Sequence, residues 1–279
     1  FDMGSNNLNY GLFDARNAQL LHRCWISTAL ARNCKDLQLR FTDLEEDIPA
    51  LNKLLTADAE IDSEKHIIAT GIMREASNAE QLFSQLCQKR NLKGKIISGK
   101  EEMRYAWYAA KAMIPKGQKA LVVDIGGSST EVVWRTPNRA FGGSSLSLGL
   151  IVLADSENPE THISNHLSVL EEPSFDLVIC VGLTAIYLNK LVNSSTTLNS
   201  LATNGSAISK EELNTFIDRF NQGGVEADNA LNIDTLGLYT MKLAAMILQQ
   251  LLDRYGLSYF LVCNDGISLG YLRWKIRKR

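Results

Sequence analysis

Val122-Val123-Asp124-Ile125-Gly126-Gly127-Ser128-Ser129-Thr130-Glu131-Val132-Val133-Trp134 reads as two buried strands around a tight Gly/Ser turn. One acid ends the first strand and another opens the second. The stretch has a loose counterpart at the head of the chain, Asp2-Met3-Gly4-Ser5-Asn6-Asn7. In each copy, backbone N–H groups of the turn can converge on an anion while the aspartate faces it. A phosphate suits that concavity, and a carboxylate beside a phosphate calls for a bridging divalent cation such as Mg²⁺. Either turn alone is equally an ordinary tight turn; their recurrence at the head of each half favours the anion reading.

Outward from these turns, short apolar runs alternate with helical patterns, which predicts an α/β protein. Strands are expected at 8–13, 19–26, 67–69, 120–123, 131–134, 177–181 and 259–263. Leu44, Ile48, Leu51, Leu54 and Leu55 put an amphipathic helix over 43–57, and the apolar stretch 236–252 reads as a buried helix. Ser-x-x-Glu capping boxes start helices at Ser77/Glu80, Ser98/Glu101 and Ser209/Glu212. The Ser/Thr/Asn-rich stretch 193–205 is a surface loop. Pro115 ends a helix before a new strand, so the lobes are drawn at 1–117 and 118–279.

Composition narrows the function. The 279 residues are 45% hydrophobic and 22% charged, a globular balance, and no apolar run approaches the roughly 20 residues that span a bilayer. With 29 Lys and Arg against 31 Asp and Glu, the net charge of -2 offers nucleic acid no global attraction. An anionic ligand must therefore be held by local geometry. The five cysteines, without a CxxC pair, suit a reducing compartment and a cytoplasmic protein. His162 and His166 lack the intervening Glu of HExxH, so no zinc is expected, and GxGxxG, GxxxxGK[ST] and GxSxG are all missing.

Three further residues and two further turns carry chemistry. Arg74 is expected in the first turn of a short helix or just before the Ser77 cap, where a cation opposes the helix dipole and calls for a facing anion. Glu101, at N3 of its capping box, reaches back to Ser98, which leaves Glu102 as the unengaged carboxylate and the candidate general base. Glu131 opens its strand against propensity and is placed to share a metal or water with Asp124. Val181-Gly182-Leu183-Thr184 joins a strand to a helix N-terminus and reads by itself as an ordinary strand-to-helix turn or as a third anion-binding turn, and Asn264-Asp265-Gly266 follows the last strand.

These residues resemble the Ppx/GppA phosphatase family, exopolyphosphatases and guanosine pentaphosphate phosphohydrolases of the sugar kinase, Hsp70 and actin superfamily. Asp2-Met3-Gly4-Ser5-Asn6-Asn7 resembles the family's DIGSNS, and Ala69-Thr70-Gly71-Ile72-Met73-Arg74-Glu75-Ala76-Ser77-Asn78 resembles ATSAxREAxN. Ile97-Ser98-Gly99-Lys100-Glu101-Glu102 is similar to ISGxEE, the stretch from Val122 to VVDIGGGSTE, and Ser147-Leu148-Gly149 to SLPLG. The resemblance implies two ribonuclease H-like (actin-like ATPase) domains with phosphate and Mg²⁺ in an interdomain cleft. It implies Glu102 as catalytic base, Arg74 as the clamp on the transferred phosphate, and Asp2, Asp124 and Glu131 as acids at the metal. Gly4, Ser5, Asn6, Asn7, Gly126, Gly127, Ser128, Ser129, Gly182 and Thr184 would bind phosphate. It also implies a short member without the additional C-terminal helical domain.

Three departures bear on substrate. Leu183 interrupts the third loop, the closing GLREG is Gly266-Ile267-Ser268-Leu269-Gly270, and a basic VRLG stretch is absent around 25–32. The activity expected is release of terminal phosphate from inorganic polyphosphate or guanosine pentaphosphate, with neither nucleic acid nor membrane as partner and a homodimer as the assembly to test. The rivals are a small-molecule kinase of the same fold and a catalytically weak polyphosphate- or alarmone-binding protein.

Overall fold

The computed structural model describes residues 1–136, 138, 140–171, 174–193, 204–224 and 234–277. By contact it forms two compact units, Phe1–Glu102 together with Tyr271–Arg279, and Met103–Gly270. This cut falls inside a helix and is not the 117/118 cut drawn from the strand pattern.

In the first unit, β1 (Asp2–Met3), β2 (Asn7–Asp14) and β3 (Gln19–Ser27) form an antiparallel meander. A small hairpin of β4 (Cys34–Lys35) and β5 (Gln38–Leu39) leads to α1 (Leu44–Asp47) and α2 (Pro49–Ala59). Then come β6 (His66–Ala69), α3 (Ile72–Glu75), α4 (Ala79–Arg90), β7 (Lys93–Ile96) and the start of α5 (Gly99–Ala110). The sheet order is β3-β2-β1-β6-β7, with β6 parallel to both β1 and β7.

The second unit repeats the plan. Its meander is β8 (Ala120–Ile125), β9 (Thr130–Arg135) and β10 (Phe141–Leu146). After α6 (Leu150–Ala154) and α7 (Pro159–Leu167), β11 (Leu177–Val181) pairs parallel to β8. Beyond it lie α8 (Gly182–Val192), β12 (Ala207–Ser209), α9 (Lys210–Asn221), α10 (Thr235–Tyr255), β13 (Tyr259–Cys263) and α11 (Ile267–Arg277), whose tail belongs to the first unit. The order is β10-β9-β8-β11-β13-β12. Counted by chain order within each sheet, the first runs 3-2-1-4-5 and the second 3-2-1-4-6-5, so the two share the 3-2-1-4 arrangement. The motif repeat read from the two aspartates is thus a repeat of topology, and each aspartate lies on the strand where the meander meets the parallel strands.

The cores explain why these strands are apolar. Leu121, Val122, Val123, Val132 and Val133 are fully buried, as expected for strands covered on both faces. Leu51, Ile67, Met3 and Leu8 are fully buried in the first unit, and α10 buries Leu243 to Leu252 positions through most of its length.

Local chemistry moved some boundaries. The helix expected over 43–57 breaks at Ile48, because Asp43 caps α1 and Pro49 opens α2 at its first position. The Ser209/Glu212 box is reciprocal. The Ser77/Glu80 box does not form: Asn78 precedes α4, and its side chain bonds both the N–H and the C=O of Leu39. The loop expected at 193–205 lies mostly outside the described residues. At the closing Gly266-Ile267-Ser268-Leu269-Gly270, the final glycine has a steric reason, since a Cβ on Gly270 would sit 1.8 Å from the Tyr105 carbonyl oxygen. Among the described residues no helix is long and apolar enough to cross a membrane.

Candidate active site

The two turns share their hydrogen bonding. Gly4 N–H donates to Asn7 C=O at 2.9 Å, and Gly126 N–H donates to Ser129 C=O at the same 2.9 Å. In the first turn, Ser5 C=O accepts from Ala31, and Asn6 C=O from Thr28 and Ala29. In the second, Gly126 C=O accepts from Leu150 and Gly127 C=O from Ile151. The segment after each meander therefore draws the turn carbonyls to its own side. A trans peptide aims its N–H opposite to its C=O, so the N–H groups of Asn6, Asn7, Gly127 and Ser128 point away from that segment. Both turns thus present a concave edge of donors, the arrangement an anion needs.

Gly149 makes this possible in the second unit, because a Cβ there would lie 2.2 Å from the Ser128 carbonyl carbon and 2.3 Å from the Gly127 oxygen. Gly149→Ala must push the turn outward. We expect it to destabilise the fold by about 1–3 kcal/mol, which thermal unfolding of the variant against wild type checks.

The first unit gathers Asp2, the 4–7 turn, Arg74 and Glu102. The Ser5 hydroxyl accepts the Ile72 N–H at 2.9 Å, so the turn itself caps α3, the single turn of helix that carries Arg74. Arg74 is the third residue of α3, whose four residues make a single turn, so it lies in the first turn of a short helix as expected. Its position is explained by its partner: Arg74 Nη1 donates to Glu102 Oε2, and also to the Ile97 carbonyl at 3.4 Å. This corrects the expectation of an unengaged Glu102. Glu101 does bond back to Ser98, as the capping box requires, and also pairs with Lys95.

Glu102 is only 6% exposed. Burial holds its carboxyl above the ordinary glutamate range, against the opposing pull of Arg74 and of a hydrogen bond from Thr70. Asp2 is buried as well, and its carboxyl is pushed up to about 7 by burial first; the Asn9 amide, 3.0 Å away, pulls it down and the charge of Glu102 pushes it up. Asp2 and Glu102 are two of the four carboxylates chosen from the sequence, and a raised carboxyl is common among catalytic acids and bases.

In the second unit, Asp124, Glu131 and Ser145 form one row across three strands, with Asp124 opposite Glu131 and Glu131 opposite Ser145. Glu131 is 1% exposed and accepts a 2.6 Å hydrogen bond from the Ser145 hydroxyl. Directly opposed carboxylates repel, a cost that a cation between them removes. Gly182 adopts φ +82° beside Asp124, where a Cβ would stand 3.6 Å from Asp124 Oδ1. In this third turn the protein takes up donors: Gly182 N–H bonds Asp265 C=O at 3.2 Å, and the buried Thr184 hydroxyl bonds Ile125 C=O at 2.7 Å. The Thr184 side chain therefore ties α8 to β8.

Three polar partners escaped the sequence reading. Thr70 sits at the end of β6 where any strand can close, and Asn9 and Ser145 are reached only through strand register. For Asn9 the alternation at the start of β2 was the available signal; β10 carries none.

Residues 53–237 match the Ppx/GppA phosphatase family. Among solved structures, the chain superposes on a Ppx/GppA family member from Aquifex aeolicus at 19% identity and TM-score 0.81, covering 99% of this chain and 96% of that one. It superposes on an exopolyphosphatase from Cytophaga hutchinsonii at 16% identity and TM-score 0.83, with the same coverage of 99% and 96%. At such identities the superpositions show the fold alone: an α/β architecture shared with these proteins.

Proposed function

The chain belongs to the Ppx/GppA phosphatase family, and from that premise we propose a phosphoanhydride hydrolase that releases terminal phosphate from inorganic polyphosphate, with guanosine pentaphosphate as the second candidate substrate. The observation that carries the reading is the ion pair of half-buried Arg74 with buried Glu102 beside the first turn. It supplies a phosphate clamp and a water-activating base in one contact.

In the proposed reaction the N–H groups of the 4–7 and 126–129 turns stabilise phosphate oxygens where negative charge grows. A phosphate drawn to Arg74 competes with Glu102 for the guanidinium. Released from that ion pair while still buried, the carboxylate loses the influence that lowers its pKa and becomes more basic. It then accepts a proton from a water aligned with the terminal phosphorus, and the phosphoanhydride bond breaks as the new P–O bond forms.

The acids fit a divalent cation. Mg²⁺ is commonly held by one or two carboxylates and completed by substrate phosphates, and the opposed Asp124 and Glu131 match that pattern. Asp124 and Glu131 would hold it, with Asp2 as the corresponding acid of the first unit. When bound, the ion neutralises phosphate oxygens.

The test is a phosphate-release panel with Mg²⁺ over long polyphosphate, short polyphosphate, guanosine pentaphosphate and ATP. Polyphosphate should be turned over fastest. Because the third turn gives up donors to Asp265 and Ile125, short chains should lose less relative to long ones than a fully donor-lined channel would allow. ADP formation that depends on an acceptor hydroxyl points instead to a kinase, and tight binding of every ligand without turnover points to a sensor.

A further inference from the structure

We infer that Ser145 is a positioning residue for this reaction, fixing the carboxylate of Glu131 from the edge strand; the inference rests on Glu131 belonging to the site as proposed above. β10 is the outer strand of its sheet, and its sequence Phe141-Gly142-Gly143-Ser144-Ser145-Leu146 is poor in the β-branched residues that strands favour. The glycines have a packing reason. A Cβ on Gly142 would meet the Trp134 indole nitrogen at 2.3 Å, and one on Gly143 the Val132 oxygen at 2.1 Å.

No such crowding selects serine at 145, which is exposed at the sheet edge. What distinguishes it is the row it closes. Glu131 stands between Asp124 on one side and Ser145 on the other, in direct register with both. The repulsion of Asp124 drives the longer Glu131 side chain toward the open edge. There the Ser145 hydroxyl donates to Oε1 at 2.6 Å, a short charge-assisted bond. One carboxylate oxygen is thereby committed and the plane of the group is set. A hydroxyl that orients an acid in this way acts through it, and loss of such partners commonly costs 10- to 100-fold in metal affinity or activity.

The experiment compares wild type, Ser145→Ala, Ser145→Thr, Glu131→Gln and the double variant Ser145→Ala/Glu131→Gln. Polyphosphate hydrolysis is measured with Mg²⁺, Mn²⁺ binding without substrate by electron paramagnetic resonance, and thermal unfolding in chelator. Ser145→Ala should lower kcat and Mn²⁺ affinity by about 10- to 100-fold with an unfolding midpoint close to wild type. Ser145→Thr, which keeps the hydroxyl and suits a strand, should restore both. The double variant should be no worse than Glu131→Gln, because the serine has nothing left to position. If Glu131→Gln loses activity and Mn²⁺ binding while Ser145→Ala keeps both, the inference about Ser145 fails and the reading of the site stands. If Glu131→Gln is itself silent in both measurements, Glu131 lies outside the site and both fall.

Discussion

Glu102→Gln should slow phosphate release from polyphosphate by about 10² to 10⁴-fold, the usual span of a general base. The substitution keeps the shape and one acceptor oxygen for Arg74 Nη1, so the loss reports the missing proton acceptor. Removing the buried charge leaves Arg74 without its counter-ion. Arg74 also bonds the Ile97 carbonyl and retains partial access to water, which limits the structural consequence. The pH dependence separates the two effects. Because burial raises the Glu102 carboxyl above its ordinary range, wild-type kcat/KM should climb with pH through a pKa higher than that of a solvated glutamate and then level off. In Glu102→Gln that limb should vanish. Equal rates for the two proteins at saturating substrate remove Glu102 from the mechanism.

The parts of this site that the sequence disclosed are those in which composition and chain order carry the signal. An aspartate at a strand end followed by Gly/Ser could be read twice, and both copies proved to share the same turn hydrogen bond. Glu101 and Glu102 could be told apart by their place in a capping box. What stayed hidden was long-range. Arg74 and Glu102 are 28 residues apart, and no local rule joins a one-turn helix to the first turn of another helix. The same holds for Ser145, which meets Glu131 through strand pairing 14 residues away. Burial was also illegible: Glu102 by position alone reads as a solvated helix glutamate, and only the folded unit reveals that it is enclosed. The missed cap at Ser77 has a comparable origin, since Asn78 takes the place beside α4 and bonds to Leu39 instead.

Asp2→Asn should make the protein more stable and less active at once. With the Asp2 carboxyl near 7 in the folded protein against an ordinary value of 3.8, the native state binds a proton that the unfolded chain releases anywhere between those values. Stability therefore falls as pH rises across that window, and above it the buried charge exacts its full cost. Asparagine keeps the acceptor that faces the Asn9 amide and carries no charge to bury. In chelator at pH 8 the variant should gain roughly 2 to 4 kcal/mol in denaturant unfolding, with the gain shrinking toward zero near pH 4. Phosphate release with Mg²⁺ should fall about 100-fold or more, since an acid retained at such a cost is retained for its charge. Mg²⁺ should also raise the unfolding midpoint of wild type more than that of the variant, because a ligand stabilises only the state that binds it. A variant that is destabilised at pH 8, or one that is stabilised but fully active, overturns the assignment of Asp2 as a functional acid; the first outcome makes its carboxylate structural, and the second makes it dispensable to the reaction.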